Sequence, residues 1–139
     1  MEPNSILLKH IVLLAKQFND IDERIITKLL LIELGIPSRL SGFDMIIQAV
    51  SVWRTLACPR ITKDVYPVIT RGGAKVNHFL VERSIRTAIH SAYVKRDETW
   101  SIFFPMDAAP TNTEFVSRLA AAVDIWQDCC LSLGKEGEL

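Results

Sequence analysis

The chain has 139 residues, 49% of them hydrophobic, with 16 Lys+Arg balancing 16 Asp+Glu and only 6 Gly and 6 Pro. That length supports one globular domain with at most a short extension. The composition excludes a disordered or collagen-like chain and a general polycation that coats nucleic acid, while a neutral total leaves a local basic face open.

The start, Met1-Glu2-Pro3-Asn4-Ser5, lacks the basic opening, apolar core and small-residue cleavage site of a signal peptide. No run of about 18 apolar residues exists, so no membrane span and a cytoplasmic location are expected. Residues 5–18 place Leu7, Ile11, Leu14 and Phe18 on one helix face. That stripe either packs on the domain or forms a dimer seam; the spacing serves both. Asp20 stands three before Glu23, the spacing of a capping box, and opens a second helix carrying Ile21, Ile25, Leu29 and Ile32. Gly35 ends it, with Pro37 just beyond. A third helix is expected over residues 43–57, with Phe43, Ile46, Ile47, Val50, Trp53 and Ala57 on one side and Pro59 as its stop.

Residues 61–71 read as a helix that Pro67 makes irregular, kinks or restarts. Gly72-Gly73 breaks the chain. From about Asn77 the helical period returns, with Val81, Ile85, Ala88, Ile89 and Ala92 in one stripe. Residues 98–109 are the least regular and fit a loop, a short helix or a small hairpin. The last helix opens at Pro110-Thr111-Asn112-Thr113-Glu114, where Thr111 and Glu114 have capping-box spacing. Phe115, Leu119, Ala122, Val123 and Trp126 form its apolar face, and a polar tail follows that is expected to fray. Amphipathic helices without a strand ladder specify an all-α domain.

Positive charge is concentrated in residues 71–96. There Arg71, Lys75, Arg83, Arg86, Lys95 and Arg96 oppose the single acid Glu82, a local charge of +5, with His78 and His90 in addition. This is the footprint of a phosphate-facing element. On a helical wheel centred on Arg83, Arg86, Thr87, His90 and Phe79 fall at roughly −60°, +40°, −20° and −40°. The stripe from Val81 to Ala92 lies opposite. A helix, a glycine-bearing turn and this helix make a helix-turn-helix candidate. Arginines suit such a face because a guanidinium bonds guanine edges bidentately or grips phosphate. A solvated helix face gives the same pattern, and charge alone does not separate the two.

Catalysis is not expected, and neither a metal nor a cofactor is implied. Cys58, Cys129 and Cys130 form no zinc spacing and a poor disulfide framework. His10, His78 and His90 are scattered, and no nucleophile elbow, zinc helix or P-loop is present. Trp53, Trp100 and Trp126 read as core anchors.

Four blocks, in order, resemble the C-terminal DNA-binding (effector) domain of the stage-zero sporulation protein A family of response regulators. They are Leu34-Gly35-Ile36-Pro37 with Gly42-Phe43; Ile61-Thr62-Lys63-Asp64-Val65-Tyr66-Pro67; Val81-Glu82-Arg83-Ser84-Ile85-Arg86-Thr87-Ala88-Ile89; and Pro110-Thr111-Asn112-Thr113-Glu114-Phe115. The similarity spans about residues 22–124. It implies a compact all-α domain of about six helices containing a helix-turn-helix, at residues 20–131. Residues 1–19 are then an N-terminal helical extension and residues 132–139 a polar tail. It further implies a sporulation transcription regulator that binds double-stranded DNA, as a homodimer on tandem sites, with a contact to RNA polymerase.

In such a domain the helix starting near His78 or Phe79 enters the major groove. By resemblance Glu82, Arg83 and Arg86 read bases: the carboxylate accepts from cytosine and the arginines contact guanine or phosphate. Arg71, Lys75, His78, Thr87, His90, Lys95 and Arg96 are the candidates for the DNA backbone. This chain departs from the family at three places. Phe79-Leu80 replaces Ser-Arg, removing a capping hydroxyl and a DNA-contacting arginine; the turn is one residue longer; and His90 replaces an acid. The roughly 20 residues before the matched region are too few for a receiver domain, so switching by receiver phosphorylation is not expected. The Phe79-Leu80 pair also opens a second reading, a protein-interaction module that modulates a full-length regulator instead of reading DNA.

Overall fold

The computed structural model describes residues 3–70 and 77–137. Seven α-helices follow in order: α1 (Pro3–Gln17), α2 (Glu23–Leu34), α3 (Ser41–Arg54), α4 (Tyr66–Thr70), α5 (His78–Val94), α6 (Glu98–Phe103) and α7 (Asn112–Gly137). A single π-helical turn, Ile61–Val65, runs directly into α4. The described residues contain no strand, as the all-α expectation requires. The resemblance implies about six helices, and the described residues form seven. The turn with Gly72-Gly73 lies outside the described residues.

Local chemistry explains most boundaries. Asp22, not Asp20, caps α2: its carboxylate accepts from the Arg24 amide at 2.7 Å. Gly35 terminates the helix at φ 87°, and the Gly35 and Ile36 amides reach back to Ile32 and Leu31, a left-handed cap that glycine adopts without steric cost. The buried face of α2 is Ile26, Leu30, Leu31 and Leu34, whereas Ile25 and Ile32 are exposed. The expected stripe is therefore rotated by about one residue, or ~100°. The run Leu29-Leu30-Leu31-Ile32 is apolar all round, so its period does not choose a face.

Helix α3 ends at Arg54, earlier than expected. The Thr55 hydroxyl donates to the Val52 carbonyl at 2.7 Å and closes the last turn, leaving Ala57 outside the helix and exposed. Pro67 is the second residue of α4, directly after the π-helical turn, so the helix is irregular next to the proline, as expected. Residues 98–103 are a short helix, whose Asp97 carboxylate accepts from the Thr99 amide at 3.0 Å. Thr111 caps α7 by accepting from the Glu114 amide at 3.1 Å, as its spacing predicts. That helix extends to Gly137, so the stretch expected to fray is helical to that residue.

One core serves all seven helices. α3 lies at its centre against α5, α7 and α2, while α1 lies along α7 and touches α6. Leu7, Ile11 and Leu14 of α1 are buried in this core, so that face is used within the chain; Phe18 lies beyond the helix end and is exposed. The Trp126 indole N–H donates to the Phe18 carbonyl at 2.9 Å, fastening the end of α1 to α7. Trp100, Phe104 and Phe115 stack into an aromatic cluster, with ring centroids 4.9 Å apart for the first pair and 5.0 Å for the second. Trp100 and Trp126 are buried and Trp53 packs at the core's edge. No described helix is long and apolar enough to cross a membrane.

Candidate nucleic-acid interface

Helix α5 builds one surface from two requirements, a cap and a buried stripe. The cap is Asn77, whose side-chain oxygen accepts from the Leu80 amide at 2.9 Å. The helix thus does without a capping hydroxyl at residue 79, and Phe79 stands inside its first turn. The buried stripe is Val81, Ile85, Ala88, Ile89 and Ala92, all five as expected. Their burial turns the opposite face outward. Arg83, Arg86, Thr87 and His90 are exposed there, with Glu82 half-exposed at the edge.

The guanidiniums are not consumed by the fold. Among the described residues Arg83 has no ion-pair partner. Arg86 has one, Glu82, with Nη1 to Oε1 at 3.6 Å on successive turns. Both side chains of that pair are well exposed, so little free energy holds it closed. A guanine offers such guanidiniums two acceptors, and its paired cytosine offers a carboxylate a donor.

Two contacts set where this face stands. Gly42, at the start of α3, packs against α5 so closely that an added Cβ would overlap the Ser84 carbonyl and stand 2.8 Å from the Ala88 Cβ. On the other flank, Asn112 at the start of α7 uses both amide hydrogens: Nδ2 donates to the Tyr66 hydroxyl at 3.0 Å and to the Glu82 carbonyl at 3.0 Å. One side chain therefore joins α4, α5 and α7. Tyr66 is buried. Burial pushes its phenol above the ordinary value and Glu82 adds to that, while the Asn112 bond and Arg86 oppose it. Thr62, Tyr66, Arg86 and Thr111 line a cleft of about 330 Å³ beside α5.

Not every candidate joins this surface. His78 is exposed at the first position of α5. Arg71 and Lys75 lie outside the described residues. Lys95 and Arg96 follow the other end of the helix, about 18 Å along the axis from Arg83. Arg96 folds back on itself there: its Nη1 donates to the Tyr93 carbonyl at 3.0 Å, its guanidinium lies 4.0 Å from the centre of the Tyr93 ring, and Asp107 is 3.9 Å away. Charge and wheel position missed Asn77, Gly42, Tyr66 and Asn112, which carry no charge. Gly42, Tyr66 and Asn112 do occur in the four family-like blocks, so the resemblance held the signal. Among the described residues no group of three or more His, Cys, Asp or Glu is placed to hold a metal.

A family model described as "Sporulation initiation factor Spo0A C terminal" matches residues 26–123, most of the chain. No curated protein matches it.

Proposed function

The chain belongs to the Spo0A C-terminal family, and from that premise we propose that it is a sequence-specific regulator of transcription that binds double-stranded DNA. Families of this type are DNA-binding effector domains rather than enzymes. The observation that carries the reading is the ridge on α5: Arg83 and Arg86 stand exposed on the face opposite its five buried residues. Glu82, Arg83 and Arg86 read base edges in the major groove, the arginines on guanine and Glu82 on a cytosine amino group. Thr87 and His90 flank them toward the phosphates, and His78, Arg71, Lys75, Lys95 and Arg96 are the further candidates for the DNA backbone. The protein acts in the cytoplasm, as a homodimer on tandem sites, and touches RNA polymerase; family resemblance supports these last assignments.

Selection of duplexes from a random pool tests this reading. A short enriched box is expected, with affinity falling steeply as salt rises because phosphate contacts release counterions. Arg83→Ala and Arg86→Ala should abolish preference for that box while helicity and melting temperature stay near wild type. Equal binding of the box and scrambled DNA by the wild type would defeat it. The exposed Phe79 and Leu80 favour a second reading, a module that docks on a full-length regulator. Such docking would be insensitive to salt and would enrich no box.

A further inference from the structure

Phe79 is 82% exposed, more than any other large apolar side chain among the described residues. It stands in the first turn of α5. At roughly −40° from Arg83 on the wheel, it shares the ridge of Arg83, Arg86 and His90 and not the buried stripe. In a helix-turn-helix the N-terminal residues of the second helix reach the base edges. The major-groove wall there is polar except at one kind of position, the 5-methyl group of thymine, and phenylalanine meets that group by apolar contact.

Resting on the DNA-binding reading above, we propose that Phe79 is a specificity-determining residue that packs on a thymine methyl in the major groove. The same ridge then reads a mixed box, guanine through the arginines and thymine through the ring. Four residues separate Phe79 from Arg83, about 6 Å along the helix axis. That is under two base-pair steps of about 3.4 Å. The thymine therefore lies within two base pairs of the contact made by Arg83. Phe79 and Leu80 are followed along α5 by the exposed cations Arg83 and Arg86. A polyanion with isolated methyl groups complements that mixture better than a broad apolar protein face does.

Replacing thymine by uracil tests the contact, since uracil keeps every hydrogen-bonding group and lacks only the methyl. The probe is a duplex selected from a random pool on the wild-type chain, with each thymine changed to uracil in turn. One position should weaken wild-type binding about 4-fold, the value of one buried methyl group. Phe79→Ala should bind the thymine and uracil duplexes equally, and Phe79→Leu should keep a preference for thymine. Both variants should retain the wild-type circular dichroism spectrum and melting temperature. A selected box indifferent to uracil everywhere, with Arg83→Ala and Arg86→Ala still losing selectivity, overturns the role of Phe79 and leaves the DNA-binding reading standing. A pool that enriches no duplex removes both readings and turns the exposed ring over to a protein partner.

Discussion

Gly42 and Ser84 meet where α3 crosses α5, with the glycine pressed so close to the Ser84 backbone that no side chain fits between the helices. The crossing lies on the same helix turn as Arg83, so any side chain at residue 42 must push the ridge outward. Gly42→Ala should destabilise the fold by about 1–3 kcal/mol, the usual penalty for overpacking. Urea denaturation measures the loss. DNA selectivity should fall with it, even under conditions where the variant remains folded.

Asn112 holds the other flank. Asn112→Ala removes two hydrogen bonds and leaves the Glu82 carbonyl without this partner, which should cost about 1–3 kcal/mol. Asn112→Asp should cost more, because a carboxylate would face the Glu82 carbonyl oxygen and donate to neither group. Equilibrium denaturation of the two variants ranks them, and a more stable Asn112→Asp would contradict the assignment.

Arg54 should matter for stability and not for DNA. Its side chain is only 8% exposed and reaches three partners: Glu23 on α2, and Asp124 and Gln127 on α7, the last two at 2.6 Å. The carboxylates are half-exposed, so water compensates part of their loss. Arg54→Ala should cost about 2 kcal/mol. Arg54→Lys should recover only part of this, since an ammonium lacks the planar fork that bridges three acceptors. Thermal melts should separate the three proteins in that order, with the box preference of Arg54→Lys unchanged.

Alkaline pH should weaken the junction at Tyr66. The folded chain holds this phenol above its ordinary value near 10, chiefly by burial. A raised value means that the folded state keeps the proton more tightly than the unfolded one. The associated stability is therefore complete below the unfolded value and is lost as pH rises through the folded one. Tyr66→Phe should remove that part of the alkaline decline, seen as a smaller drop in melting temperature between about pH 9 and pH 11.

Legibility in the sequence followed the clarity of the local signal. Helix α5 and the start of α7 were readable because apolar and polar residues alternate there with one unambiguous period. Val81 through Ala92 and the Thr111 cap fall where expected. In α2 the aliphatic run hid its buried face, and two nearby aspartates competed for one cap, which Asp22 takes. The early end of α3 depends on a hydroxyl bond from Thr55, a choice that a proline four residues later obscures. The exposed ridge was visible because charge and period coincide. Its mountings at Gly42 and Asn112 were not, because a close helix crossing and an amide that bridges two other helices exist only once distant segments meet. Family resemblance marked those positions without saying why they matter.

The fastening of Phe18 to Trp126 has a practical consequence for anyone who trims this protein. Helix α1 works as a cork: with Leu7, Ile11 and Leu14 withdrawn, an oily trench along α7 and α6 would open to water. A truncated version beginning at residue 20 should therefore clump.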